Sequence, residues 1–189
     1  HRIAVHEAGH LLAALLSPLP TPVRAWVTAR GGHVEPAYLP MFTPTLAEAK
    51  LRMCLAGCAA ETLVLDEMSN GAGIGPTSDL AQATMLAAQM QLNWSFGDAG
   101  LAWQDASQLN FQMLPIRTQR RIEVHLQAAD AAVRTLLKEN LHTLKSIAAE
   151  LIHKRELTQT DLKKLSKRLS SGSMNEGART LSECHITGS

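Results

Sequence analysis

The chain has 189 residues, of which 46% are hydrophobic and 4% aromatic, and its formal net charge at pH 7 is +1. This length suits one globular domain with a sizeable core and no need of disulfide bonds. The near-neutral charge argues against a nucleic-acid-binding protein, which usually has a basic face, and the few aromatic residues argue against base stacking. The odd cysteine count, without framework spacing, argues against a secreted disulfide scaffold.

The first predicted element is a helix that runs from near the N-terminus to about Leu16 and is ended by a proline-rich segment. It carries His6-Glu7-Ala8-Gly9-His10, which matches the pattern H-E-x-x-H. Residues four apart share a helix face, so His6 and His10 can bind one metal ion, while Glu7 can take a proton from a metal-bound water. The alternative is a buried helix whose histidines only form hydrogen bonds, but an unpaired Glu7 would be costly to bury there.

Two short strands are predicted after this helix. The first covers residues 23–29, and the second covers residues 33–39 after a turn that contains Gly31 and Gly32. Pro36 places the second strand at the edge of a sheet, because proline cannot donate a backbone hydrogen bond. A free edge near such a metal ion can pair with an extended peptide, although an ordinary edge hairpin explains the pattern equally well.

A second helix is predicted to begin near Pro44 and to reach about Met68. We expect Thr45 to cap its N-terminus, with Glu48 three residues later completing a capping box. Residues 56–60 are five small residues in a row, which allow another helix to approach closely. The sequence therefore predicts that the first helix packs on this face.

The rest of the chain is predicted to be largely helical. A glycine-rich loop leads to a helix that opens at residues 77–80, and residues 94–110 are expected to form a loop. Three more helices are predicted, from Pro115 to about Glu139, from Leu141 to about Lys154, and from a cap at Thr158 to about Leu169. Residues 170–189 are rich in Ser, Gly, Thr and Asn, which predicts a disordered C-terminal tail. We expect a mainly α fold of the α+β type over residues 1–169, with a small strand element near the first helix.

The third metal ligand is not settled by spacing. A catalytic zinc ion usually has three protein ligands, and Ala13 and Leu16 stand where a metzincin would have glycine and a third histidine. Glu61 and Asp79 are equally supported, although Asp79 can also be explained as a residue that stabilises a helix N-terminus. The weaker candidates are Asp66, Glu67 and His33.

Four blocks of sequence resemble, in order, the peptidase domain of the FtsH family of ATP-dependent zinc proteases. They are residues 3–11, 22–31, 55–61 and 75–84, and the first and last are the most specific. The first contains a segment near-identical to the family's HEAGH, and the last is similar to its Gly-Ala-x-Asn-Asp block. The resemblance reaches roughly to residue 169. Cys58, where the family often has arginine, and a shorter loop over residues 31–43 are the main departures.

The resemblance implies a metal centre in which His6, His10 and Asp79 bind Zn²⁺ and Glu7 is the catalytic base. Glu61 then becomes a carboxylate that supports a ligand histidine.

It further implies a zinc-dependent endopeptidase domain that acts on unfolded or membrane proteins. Family members form homo-oligomers, usually hexamers, and are membrane-associated with the peptidase domain on the cytoplasmic or organelle-interior side. The chain contains no G-x-x-x-x-G-K-[ST] run, so we expect the ATPase module upstream or on a partner. Two alternatives remain at this point: a degenerate module with an assembly or chaperone role, and a zinc hydrolase of non-peptide amides.

Overall fold

Helix α1 (Arg2–Leu15) lies at the centre of the fold and is buried along most of its length. A computed structural model describes residues 1–96, 100–106 and 110–183, with side chains as far as residue 171. The other elements are β1 (Arg24–Val27), β2 (Gly32–Glu35), α2 (Pro44–Leu65), α3 (Asp79–Leu92), α4 (Ile116–Glu139), α5 (Leu141–Lys154), β3 (Glu156–Leu157) and α6 (Gln159–Glu183). The mainly α fold with a small sheet is confirmed.

The three strands form one antiparallel sheet in the order β2-β1-β3. Trp26 in the middle strand lies opposite His33 of β2 and Glu156 of β3. The predicted edge position of β2 is therefore confirmed. Strand β3 was not predicted, because two residues are too few to show an alternating pattern.

The small residues of α2 allow α1 and α2 to pack closely, as predicted. A Cβ atom added at Gly9 of α1 would lie 2.6 Å from the Cβ atom of Ala60 and would also strike the carbonyl oxygen of Ala56. Helix α5 packs on another side of α1 and also contacts β1. Buried side chains of α1, α2, α4 and α5 thus form one continuous core.

Helix α2 begins at Pro44, near the predicted start, but its N-cap and its last residue differ from those predicted. Its N-cap is Thr43, whose hydroxyl accepts a hydrogen bond from the backbone N–H of Leu46 at 3.3 Å, and Pro44 occupies the first turn. The expectation for Thr45 was wrong because proline is favoured just inside a helix, which moves the cap one residue before it. The helix ends at Leu65, where Asp66 adopts a left-handed conformation with φ of 60°.

Helix α6 runs from Gln159 to Glu183 and therefore ends beyond the predicted position near Leu169. The sequence of this segment includes Met174, Glu176 and Leu181, which favour helix despite the serines and glycines around them. The division into a domain over residues 1–169 and a tail over residues 170–189 stays a prediction, and residues 184–189 lie outside the described residues. None of the helices in the described part of the chain combines the length and apolar character of a membrane span.

Candidate metal centre and active site

Three side chains of metal-binding type converge between α1 and the N-terminus of α3. The Nε2 atoms of His6 and His10 are 3.0 Å apart, and the Asp79 Oδ2 atom lies 2.9 Å from the first and 3.3 Å from the second. Within the described ranges these residues form a group whose ligand atoms all lie within 4.8 Å of one another. The helix brings the two histidines together, but Asp79 reaches them only through the tertiary fold.

The other ring nitrogen of each histidine is held by a hydrogen-bond acceptor. The His6 Nδ1 atom lies 2.8 Å from Glu61 Oε1, and the His10 Nδ1 atom lies 2.7 Å from the carbonyl oxygen of Met53. Because a carbonyl or carboxylate can only accept, each Nδ1 carries the proton in the neutral ring. Each Nε2 lone pair is therefore free to bind a metal ion.

Glu61 supports the centre through His6 and does not reach the point where the ligand atoms meet. Its carboxylate accepts hydrogen bonds from Arg2 at 2.8 Å and from the backbone N–H and hydroxyl of Ser69 at 2.8 and 3.1 Å. Burial alone would raise the pKa of Glu61, but these bonds and the one from His6 outweigh it and lower that pKa. Glu61 is thus a charged acceptor that orients the ring of His6.

Asp79 is the first residue of α3, but it is not the helix cap. Ser78 is the N-cap, and its hydroxyl accepts from the backbone N–H of Ala81 at 3.4 Å. The Asp79 carboxylate is left to face the two histidines. Burial would raise its pKa, but when the rings of His10 and His6 are protonated in the absence of metal, their hydrogen bonds and charge hold the pKa of Asp79 far below its usual range.

The three weaker ligand candidates lie away from the point of convergence. Glu67 is bound by the guanidinium of Arg2 at 2.6 Å, and Asp66 forms the C-cap of α2. The ring of His33 contacts Trp26 edge-on, with ring centroids 5.1 Å apart.

Glu7 is buried beside the histidines, with only 6% of its surface exposed. Desolvation raises the pKa of its carboxyl, while the nearby His10 and His6 oppose that shift. Strand β2 passes directly over this side chain at Gly32. A Cβ atom there would lie 2.5 Å from the Cγ atom of Glu7 and 2.9 Å from its Oε1 atom. Glycine is therefore needed to let the strand approach Glu7.

Gly57 of α2 packs directly against the rings of His6 and His10. A Cβ atom at this position would lie 2.5 Å from the Cε1 atom of His6 and 2.6 Å from the Nε2 atom of His10. In the sequence, Gly57 and Gly32 stand out only as parts of a small-residue run and a turn. The missing signal is a contact between residues far apart in the chain.

The site opens into a cleft of about 750 Å³ between α1, β2 and the start of α3. Its walls include the four site residues and residues from three other segments, namely Gly32, Val34, Pro36, Lys50, Met53 and Ile74. Clefts of this size are typical of binding sites for extended or drug-sized ligands.

The three ligand atoms fit a zinc ion. Zinc ligands about 2.0–2.1 Å from the metal at tetrahedral angles lie roughly 3.3 Å apart, close to the separations of 2.9, 3.0 and 3.3 Å in this centre. Two imidazoles and one carboxylate are also a donor set found in catalytic zinc sites, and three ligands leave a position open for water.

The model of the family "Peptidase family M41" matches residues 1–165. Similar proteins include two from Symbiobacterium thermophilum, each named an ATP-dependent zinc metalloprotease. The one called FtsH 2 is 30% identical over 87% of this chain and 30% of its own length, and FtsH 1 is 34% identical over 87% and 28%. FtsH 2 of a Thermoanaerobacter species is 29% identical over 86% of this chain and 32% of its own length. The chain thus spans about a third of the length of these relatives.

Proposed function

This chain belongs to peptidase family M41, and on that basis we propose that it hydrolyses peptide bonds as a zinc-dependent endopeptidase domain. The observation that carries the proposal is the convergence of His6, His10 and Asp79 beside the buried carboxylate of Glu7. Both histidines are also hydrogen-bonded at Nδ1, which leaves Nε2 of each ring for a metal ion.

In this proposal, His6, His10 and Asp79 hold Zn²⁺. When bound there, zinc lowers the pKa of a water molecule and polarises the carbonyl of the substrate. Glu7 accepts a proton from the attacking water and passes it to the leaving amine. The raised pKa of Glu7 suits this role, because a carboxyl group with a pKa closer to neutrality both accepts and returns a proton more readily.

We propose that the substrate binds in an extended conformation along β2. The carbonyl groups of Gly31 and Glu35 accept hydrogen bonds from the β1 side at 2.7 and 2.9 Å. Backbone groups alternate in direction along a strand, so those of Gly32 and Val34 face the open edge of the sheet. That edge borders the cleft, and an added strand there lies beside Glu7. Only an unfolded segment can bind in this way.

Coupling to an ATPase module, homo-oligomerisation and membrane association with the peptidase domain on the interior side are proposals for the whole protein. The names of the relatives, which include "ATP-dependent", support the first of these. The length of those relatives leaves room for such a module outside the region that this chain matches.

The test compares the wild-type chain with Glu7→Gln and with Glu139→Gln, which changes an exposed glutamate at the end of α4. Each protein is loaded with zinc, its metal content is measured, and it is incubated with an unfolded protein and with fluorogenic peptides. We expect all three chains to bind zinc and only Glu7→Gln to lose cleavage, by at least about 100-fold. A wild-type chain that binds zinc but cleaves no substrate, or an active Glu7→Gln variant, would contradict the proposal.

A further inference from the structure

We propose that an apolar pocket beside the metal centre binds one large apolar side chain of the substrate, an inference that rests on the peptidase function proposed above. This side pocket has a volume of about 400 Å³. Its apolar lining comes mainly from the segment before β1 and from the segment between β2 and α2, and includes Leu19, Pro22, Ala37, Tyr38, Leu39 and Phe42. The second segment belongs to the loop in which this chain departs from the FtsH pattern.

The side pocket adjoins the active-site cleft. Pro36, Lys50 and Met53 line both cavities. Met53 also accepts the hydrogen bond from His10 Nδ1 through its carbonyl oxygen, so the pocket begins at a residue that touches a proposed zinc ligand. A side chain in the pocket therefore belongs to a substrate residue close to the bond that is cleaved.

The orientation of the sheet leads a substrate side chain into this pocket. Val34 is buried, and Gly32 faces Glu7 of α1, so this face of β2 points toward the helices. In a strand added to the edge of β2, every second side chain points to the same face. The side pocket lies on that face, because Ala14 of α1 and Met53 of α2 form part of its wall.

The chemistry of the wall selects an apolar side chain. Among the residues that line the pocket, Lys50 is the charged one, and it lies at the junction with the cleft. Phe42 stacks on Trp94 with ring centroids 5.5 Å apart, which holds one wall in place, whereas Tyr38 is 87% exposed. Burial of a leucine or phenylalanine side chain in such a pocket should improve binding about 10- to 100-fold over a polar residue.

The experiment uses extended peptides that carry one photo-leucine, a diazirine analogue of leucine, and the zinc-loaded Glu7→Gln chain, which keeps the peptide intact. Ala37→Trp in that background fills the pocket from a loop residue. Ala102→Trp is the matched control, because Ala102 is an exposed loop alanine that lines neither cavity. Cross-linked residues are identified by mass spectrometry, and unlabelled peptides with leucine or aspartate at the same position compete.

We expect cross-links within residues 36–42 or at Met53, a loss of at least tenfold in Ala37→Trp, no loss in Ala102→Trp, and competition about 10- to 100-fold stronger from leucine than from aspartate. Cross-links elsewhere, an Ala37→Trp variant that labels normally, or equal competition by both peptides would overturn the proposal. Pocket labelling without any cleavage by the wild-type chain would refute the peptidase function and leave the pocket. Cleavage by the wild-type chain together with labelling outside the pocket would support the peptidase function and overturn the pocket proposal.

Discussion

Substitution of Gly57 by alanine tests the geometry of the metal centre most directly. The added Cβ atom would lie 2.5 Å from His6 Cε1 and 2.6 Å from His10 Nε2, and contacts under about 3 Å force one partner to move. Both rings are fixed from behind, by Glu61 and by Met53, so they cannot retreat without breaking a hydrogen bond. The added methyl group therefore strains the positions in which the two rings could bind one zinc ion.

Overpacking of this kind costs about 1–3 kcal/mol, which corresponds to about 5- to 150-fold weaker zinc binding. Without zinc, a ring can turn aside at the cost of one of these hydrogen bonds, about 0.5–1.5 kcal/mol, while alanine is favoured over glycine inside a helix by about 0.5–1 kcal/mol. These two effects nearly cancel, so the metal-free variant should be about as stable as the wild type. A variant that keeps its zinc-free stability but binds zinc more weakly would place the strain at the two histidine rings.

The assay is zinc affinity by competition with a chromogenic chelator, together with the thermal midpoint Tm of the zinc-free chain. Gly31→Ala is the control, because an added Cβ atom there meets nothing within 4 Å. We expect Gly31→Ala to bind zinc as the wild type does. Wild-type zinc affinity in Gly57→Ala would refute the reasoning, and a large fall in its zinc-free Tm would show that the strain lies in the fold instead.

Three further predictions concern single side chains. Asp79→Ala should lose most of its zinc on dialysis at neutral pH, while metal retained near one ion per chain would move the third ligand elsewhere. Burial raises the pKa of Glu7, so the folded chain holds this proton more tightly than the unfolded chain does. The protonated Glu7 carboxyl group therefore stabilises the zinc-free chain at pH values below the pKa of Glu7 in the unfolded chain. This stabilisation is lost as the pH rises through the pKa of Glu7 in the folded chain. Urea titrations should show that Glu7→Gln removes this loss; an unchanged pH profile would contradict it. Thr43→Ala should cost about 0.5–2 kcal/mol in the free energy of unfolding through the lost cap, whereas Thr45→Ala should change it by less than about 0.5 kcal/mol, and equal effects would contradict the cap assignment.

The parts of the site that follow local rules could be predicted from the sequence. A helical period is enough to place His6 and His10 on one face with Glu7 beside them. Sequence spacing could not decide whether Glu61 or Asp79 is the third metal ligand, and the structure gives the reason. Both carboxylates contact His6, one at Nδ1 and the other at Nε2, so both are near the centre and only their direction of approach differs.

The contacts that no local pattern encodes could not be predicted. Met53 supports His10 through a backbone carbonyl, which every residue has, so its sequence position carries no signal. Gly32 and Gly57 are explained by side chains that lie far away in the chain. Thr43 was missed for a different reason, since two neighbouring threonines flank Pro44 and only the preference of proline for the first turn separates them.

The position of β3 has a consequence for the order in which the domain is made. All the proposed ligands lie within the first 79 residues, but β1 is paired on its far side by Glu156 and Leu157, and α1 packs on α5. A nascent chain thus exposes its ligands on the ribosome well before the elements that enclose them have been synthesised. We expect stalled chains that end before Glu156 to bind zinc more weakly than longer ones, which radioactive zinc retention would measure. Such a delay would keep the centre inactive until synthesis of the domain is nearly complete.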